Sequence, residues 1–196
     1  YCRHVAKTLN PSWDFDSKNI AMVRVSGKGN FAKYRRFFES FGIEVKIVAD
    51  LDALFEGYQH LGVPAEVNPV RTEAITAVDG RIEALNIKAE PATRQIKDQL
   101  GKESWRQRYN AAKDVVAKLS HGDALDEDMV KALDNLFIWE KDIARVKACR
   151  EDGDARSCLV PVLDAMRVSG VCVLSKGAIE DYYPADTPGV SKPDRT

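Results

Sequence analysis

No part of the 196-residue chain contains the run of about 18 to 20 apolar residues that a membrane-spanning helix needs. The first ten residues, YCRHVAKTLN, also lack the apolar stretch of a signal peptide. Four cysteines are present, but none forms a C-x-x-C pair, which argues against a zinc ribbon or a thioredoxin-type site. We therefore expect a reduced, cytoplasmic protein that has no contact with a membrane.

Several catalytic signatures are also missing. The three histidines are scattered, no G-x-S-x-G motif occurs, and no cysteine has an activating partner nearby, so serine and cysteine hydrolases are excluded. Neither a Walker A loop nor a G-x-G-x-x-G motif is present. The net charge is −1, and 44% of the residues are hydrophobic, as in an ordinary globular domain. The chain begins with Tyr1 instead of Met, so we expect a fragment of a longer protein.

The first third of the chain alternates between strand and helix patterns. The β-branched run Ile20–Ser26 predicts a strand, and aromatic residues from Phe31 to Phe41 recur at the helical period until Gly42. A second apolar run, Val45–Ala49, predicts another strand. A strand, a helix and a strand in this order form a βαβ unit, so we expect a parallel sheet.

The middle of the chain is helical in pattern. Apolar spacing predicts a helix from Pro91 to Leu119 and a second from Val130 to Ala144, which we expect to pack antiparallel, and a shorter helix over residues 66–86. After these, Cys158–Val168 predicts a helix and Val171–Leu174 a buried strand, in which Cys172 is a small buried hydrophobic residue. The expected fold class is α/β, a Rossmann-like parallel sheet interrupted by a helical insertion.

Asp50 and Asp52 follow the Val45–Ala49 strand directly, and carboxyl ends of parallel strands line the ligand crevice of open sheets. Two carboxylates at this spacing, with no cation beside them in sequence, repel each other unless a positive charge lies between them. A hard divalent ion such as Mg²⁺ would supply it. Alternatively, Asp52 caps a helix that begins at Ala53, and Asp50 is a solvated residue at the strand end.

Two further turns follow predicted strands. The turn Ser26–Asn30 (SGKGN) can offer backbone N–H groups to an anion, although a plain tight turn is the simpler explanation for the sequence alone. In the later turn, Lys176 and Glu180 are four residues apart and would form a surface ion pair if this segment were helical. Basic residues exceed acidic ones by four in both Arg24–Lys46 and Lys88–Lys118. These patches can hold nucleic-acid phosphates or can be solvated helix faces.

Taken together, two segments resemble a known family. The run VRVSGKGNFAKYRRFFESFGIEVKIVADLD, followed after a long helical stretch by GVCVLSKGAIEDYY, is similar to the TOPRIM nuclease domain of OLD (overcoming lysogenization defect) proteins. These are ATP-dependent nucleases with an N-terminal ABC-type ATPase, and several act in phage defence. The resemblance implies a TOPRIM core in 1–56 and 166–184, a helical insertion in 57–165 and a flexible tail in 185–196.

The resemblance also implies functional residues and partners. It makes Asp50 and Lys176 catalytic, and Asp50, Asp52 and Glu180 ligands of Mg²⁺ or Mn²⁺. DNA is the implied partner, ATP would act only through an ATPase domain that this chain lacks, and the longer parent protein would form a homo-oligomer. The residues expected to contact phosphate or DNA lie in the glycine turn and on the basic helix: Gly27, Lys28, Lys102, Arg106, Arg108 and Lys113.

Two alternatives remain open from the sequence. TOPRIM domains begin with a strand that ends in glutamate, and this chain has no such segment. The fragment could therefore be a catalytically incomplete DNA-binding or dimerising part of its parent. The run IVADLD also resembles the first motif of haloacid-dehalogenase-type phosphatases, in which Asp50 would be the nucleophile and Asp52 the general acid.

Overall fold

The computed structural model describes residues 2–183, and the expected tail over 185–196 lies outside them. The fold is mostly helical, with one small parallel sheet. Its helices and strands in chain order are α1 (Cys2–Leu9), α2 (Phe31–Glu39), β1 (Ile47–Ala49), α3 (Asp52–Phe55), α4 (Asn68–Leu85), α5 (Thr93–Leu100), α6 (Glu103–Ser120), α7 (Glu127–Leu136), α8 (Ile138–Glu151), α9 (Gly153–Ser157), α10 (Val160–Val168) and β2 (Val171–Val173). Single 3₁₀ turns lie at Lys28–Asn30, Tyr58–His60, Ala65–Val67 and Ile179–Tyr182.

The sheet joins two segments that are far apart in sequence. Strands β1 and β2 run parallel, with Ile47 opposite Val171 and Ala49 opposite Val173. The ladder continues beyond the strands, because the N–H of Leu174 donates to the carbonyl of Ala49 at 2.9 Å. The predicted strands over Val45–Ala49 and Val171–Leu174 are therefore confirmed, each shorter than expected, and the parallel direction is confirmed with them.

The prediction of a strand over Ile20–Ser26 is wrong. Residues 20–25 have no regular secondary structure, and Ile20, Met22 and Val23 are about half exposed. A strand needs a neighbour to pair its backbone N–H and C=O groups, and the described part of the chain gives this segment none. The βαβ unit is consequently absent from residues 2–183, although helix α2 forms where its period indicates.

One face of the sheet supports the hydrophobic core. Ile47, Ala49, Val171 and Val173 are buried against α3, α4 and α8 to α10, whereas the alternate residues Val48 and Cys172 are exposed. The expectation that Cys172 is buried is therefore wrong, because its position in the pleat faces away from the core.

Both long helices predicted for the middle of the chain form, and each is interrupted once. The first helix is divided at Gly101 into α5 and α6, and the second at Phe137 into α7 and α8, while α6 and α7 pack against each other. On α6 the buried apolar residues are Ala112 and Val115, and Val116 is 55% exposed. Among residues 2–183, no helix is both long and apolar enough to cross a bilayer.

The core is shared between the expected core and insertion segments. Leu51 and Leu54 from the first segment pack with Val78, Leu159 and other residues from the helical segment. The predicted boundary between residues 165 and 166 falls within α10. By contrast, no residue from 3 to 46 is buried. Residues 3–46 therefore have no core of their own.

Candidate functional site

A cleft of about 940 Å³ opens where the two parallel strands end. We call it the strand-end cleft. The N–H of Leu51, directly after Asp50, donates to the carbonyl of Gly177 at 2.8 Å, so the turns that follow β1 and β2 are joined at its edge. Asp50, Asp52 and Gly177 all line it. The backbone thus brings together the D-x-D segment and the Ser175–Glu180 segment.

The side chains of Lys176 and Glu180 do not line the strand-end cleft. Lys176 is exposed and outside the cleft lining, with its Nζ 5.4 Å from the centre of the Tyr182 ring. The Tyr182 hydroxyl also accepts the Lys176 N–H at 3.1 Å. Glu180 belongs to the 3₁₀ turn Ile179–Tyr182 and does not line the cleft. The expectation of a helical Lys176–Glu180 pair is wrong, since Lys176 precedes that turn.

Lys28 reaches into the cleft from the glycine turn. Its Nζ lies 2.6 Å from Asp52 Oδ2 and donates to the Glu56 carbonyl at 3.1 Å. Gly57 makes room for this path: it has φ of 100°, and a Cβ there would lie 3.0 Å from Lys28 Cδ. Gly27 (φ 81°) precedes the 3₁₀ turn and lies outside the cleft lining. The cation that the sequence does not place beside Asp52 therefore comes from a distant turn.

Glu56 is a cleft residue that the sequence prediction missed. Its Oε1 lies 2.5 Å from Lys102 Nζ, which ties the end of α3 to the residue before α6. Burial raises the pKa of Glu56, but the hydrogen bond and charge of Lys102, together with Lys28 and Arg108, outweigh burial and leave the pKa below its ordinary value. A local signal existed, because Glu56 follows Asp52 by one helical turn.

The four predicted basic residues of the 102–113 segment divide into two groups. Lys102 lines the cleft, and Arg108 is half-buried and close enough to lower the pKa of Glu56. Arg106 and Lys113 are exposed and lie outside the cleft lining, and Arg106 is 3.9 Å from Glu103. Only the first group is placed beside the strand ends.

Helix α8 forms another wall of the cleft, which the sequence analysis did not anticipate. Trp139, Asp142, Val146 and Arg150 face it at helical spacing. Burial raises the pKa of Asp142. The charge of Arg145, whose Nη1 donates to Asp142 at 2.7 Å, lowers the pKa and offsets part of this rise. The sequence alone does not identify these residues as a site, because residues at the same helical spacing also form the face by which an ordinary helix packs against its neighbours.

The donor chemistry of the cleft suits a hard divalent ion in part. Asp50 and Asp52 supply carboxylate oxygens, and Mg²⁺ often binds through one or two carboxylates while it keeps several waters. Glu180 does not join them, and across residues 2–183 no three His, Cys, Asp or Glu side chains are grouped to hold a metal. The two aspartates therefore fit a water-rich ion, and the predicted set of three ligands is not assembled.

Comparison with known proteins gives one match. A family model described as "Overcoming lysogenization defect protein-like, TOPRIM domain" matches residues 1–52, about a quarter of the chain. No curated protein and no solved structure matches. The matched segment contains the glycine turn and both aspartates. The match confirms the resemblance of the first segment, residues 1–52, to an OLD-like TOPRIM domain, and it does not extend to the second segment, residues 170–183.

Proposed function

We propose that this chain is the nuclease part of an OLD-like protein and hydrolyses DNA phosphodiester bonds at the strand-end cleft. The observation that carries the proposal is the hydrogen bond from Leu51 to Gly177. It brings the turn after Asp50 to the turn after Lys176, although 177 − 51 = 126 residues separate Leu51 from Gly177. TOPRIM domains typically bind divalent metal and act in nucleic-acid cleavage or ligation, which supports this choice.

Each residue then has a defined task. Asp50 and Asp52 would hold Mg²⁺ or Mn²⁺, and the bound ion supplies water activation and charge stabilisation at the leaving oxygen. Lys176, on the exposed turn beside the cleft, would approach the phosphate and stabilise its charge in the transition state. Lys28 and Lys102 would turn from Asp52 and Glu56 toward the DNA backbone. Glu180 is left without a direct ligand role.

The wider setting is also part of the proposal. The basic residues on α6 would track the DNA backbone and contribute affinity without sequence preference. ATP would act through an ATPase domain elsewhere in a longer parent protein, which would be a homo-oligomer with a role in phage defence. We place that protein in the cytoplasm.

The test combines metal titration with plasmid nicking in the full-length protein. Asp50→Ala and Asp52→Ala should lose calorimetric Mn²⁺ binding and nicking while circular dichroism stays unchanged. Lys176→Ala should bind Mn²⁺ normally and nick more slowly, because its charge acts on the transition state. Asp114→Ala, which removes an exposed carboxylate on α6, is the control. Full nicking by Asp50→Ala would overturn the proposal.

The same preparations separate the two alternatives. A haloacid-dehalogenase-type phosphatase would form a covalent phospho-aspartate at Asp50, which acid-quenched mass spectrometry detects. A catalytically incomplete fragment would bind plasmid DNA without nicking it, even when the 196-residue chain is supplied with Mn²⁺.

A further inference from the structure

The half of the strand-end cleft between α5 and α8 is not explained by metal chemistry. Trp139, Ile143 and Val146 give it an apolar wall along one stripe of α8. Helix α5 also contributes to the cleft lining, through Gln95 and Gln99, which are one turn apart. Phosphate groups and metal ions bind polar and charged groups, not an apolar wall. This half of the cleft is therefore suited to a different part of a ligand.

Gln99 is the notable residue in this half. It is 4% exposed and is the buried polar residue of the described core. Within residues 2–183 its side-chain amide has no hydrogen-bond partner, whereas the Gln95 Oε1 accepts the N–H of Ala92 at 2.8 Å. The unpaired and solvent-shielded side-chain atoms among the described residues are Arg35 Nε and Tyr58 Oη, so the Gln99 amide keeps contact with the solvent of the cleft that it lines. An amide left open toward a cleft is free to bind a ligand there.

We propose that this half of the cleft binds a nucleobase. An amide offers a donor and an acceptor side by side, which matches the hydrogen-bonding edge of a base. Trp139 supplies an aromatic face on which a base can stack. The apolar wall of Ile143 and Val146 suits the rest of the ring. The inference rests on the proposed function, since a nucleic-acid strand cut at Asp50 and Asp52 would place a neighbouring nucleotide along the same cleft.

The proposal narrows the substrate class. Inside a duplex the bases are stacked and paired, so a base can enter this pocket only when it is unpaired or flipped out. The preferred substrate would then be single-stranded DNA or a duplex with an unpaired nucleotide near the scissile bond. A free nucleotide offers the same base, and the experiment separates the two sources.

The test uses fluorescence of Trp139. The chain has three tryptophans, so Trp13→Phe and Trp105→Phe leave Trp139 as the single reporter. The four deoxynucleoside monophosphates and the octamer (dT)₈ are titrated in EDTA, which prevents cleavage. We expect saturable quenching by (dT)₈. Gln99→Met should weaken binding about tenfold, which is within the discrimination that one bidentate amide–base pair supplies.

The controls keep the result interpretable. Gln107→Met removes an exposed amide on α6 and should leave affinity unchanged. Val146→Phe, which narrows the pocket and leaves Gln99 unchanged, should abolish quenching and serves if Gln99→Met does not fold. Quenching by monophosphates alone would assign the pocket to a free nucleotide, which still supports a base site. No quenching by any probe, or full affinity in Gln99→Met, would overturn the proposal.

Failure of this inference is distinguishable from failure of the proposed function. Base binding is measured without metal, so Asp50→Ala should retain it even though that variant loses nicking. If Asp50→Ala stops nicking while no probe quenches Trp139, the nuclease proposal stands and the base pocket is wrong. If a probe quenches Trp139 and nicking does not depend on Asp50, the base pocket stands and the nuclease proposal is wrong.

Discussion

Lys28 and Asp52 form an ion pair, with Nζ 2.6 Å from Oδ2, that links the glycine turn to the D-x-D segment. Both partners line the strand-end cleft. The same ammonium group also donates to the Glu56 carbonyl, so it contacts both the first residue of α3 and the residue that follows α3. The pair offsets the charge of Asp52 in the absence of metal, and a divalent ion at Asp52 has to compete with it.

Removing the Lys28 charge should therefore strengthen metal binding. In Lys28→Met we expect Mn²⁺ affinity to rise on the order of fivefold, because a partly exposed ion pair contributes up to about 1 kcal/mol. Calorimetric titration measures the change, and Lys33→Met, which removes an exposed charge from α2, is the control. Weaker Mn²⁺ binding in Lys28→Met would show that Lys28 supports the site instead of competing for it.

Gly57 should tolerate no side chain. In Gly57→Ala we expect a loss of about 1 to 2 kcal/mol in the free energy of unfolding, because φ is 100° and left-handed backbone is strained for L-residues. The new Cβ would also displace Lys28, 3.0 Å away at Cδ. Gly80→Ala, inside α4 with no atom within 4 Å of its Cβ position, should instead gain roughly 0.5 to 1 kcal/mol. Urea unfolding measures both, and a Gly57→Ala variant as stable as wild type would contradict the strain.

Two aspartates should change the pH dependence of stability in opposite directions. Burial raises the pKa of Asp142 above its ordinary 3.8, so the native state binds more protons and stability falls as pH rises from 3.8 through the raised pKa. The Arg81 hydrogen bond lowers the pKa of Asp152, so its contribution is present above 3.8 and is lost as pH falls through the lowered pKa.

The matching variants separate these effects. Asp142→Asn should reduce the fall in the free energy of unfolding that occurs as pH rises from 3.8 through the raised pKa of Asp142. Asp152→Asn should remove the rise in the free energy of unfolding that occurs as pH increases from the lowered pKa of Asp152 to 3.8. Urea unfolding over a pH series measures the slopes. Parallel changes in the two variants would contradict the assigned directions.

The exposed basic residues of α6 should contribute to DNA affinity only through the attraction between their positive charges and the phosphate backbone. In the double variant Arg106→Gln/Lys113→Gln we expect the slope of log affinity against log salt to fall by about 0.9 for each phosphate that is no longer neutralised. Fluorescence anisotropy with duplex DNA at several salt concentrations measures it, and Lys131→Gln on α7 is the control. An unchanged slope would assign both residues to a solvated surface.

Local patterns anticipated most helices and both strands that form. Helix α2 follows its aromatic period, and α4 begins with a proline in its first turn and ends at Asn86 in left-handed conformation. The prediction for Ile20–Ser26 failed because its β-branched run records a preference for extended backbone and says nothing about a pairing partner. On α6, Val115 is buried and the neighbouring Val116 is exposed, because a shift of one residue along a helix turns the side chain by about 100°.

By itself the sequence determined the elements with a strong local period, the D-x-D at a strand end and the family resemblance in the first 52 residues. The tertiary structure alone decided which charges meet, Lys28 with Asp52 and Lys102 with Glu56. It also decided that Gln99 is buried at the edge of the cleft. Helix and strand periods arise from neighbours along the chain, so a sequence records them directly. Ion pairs and burial between distant segments depend on how the elements pack, and no local pattern encodes that packing.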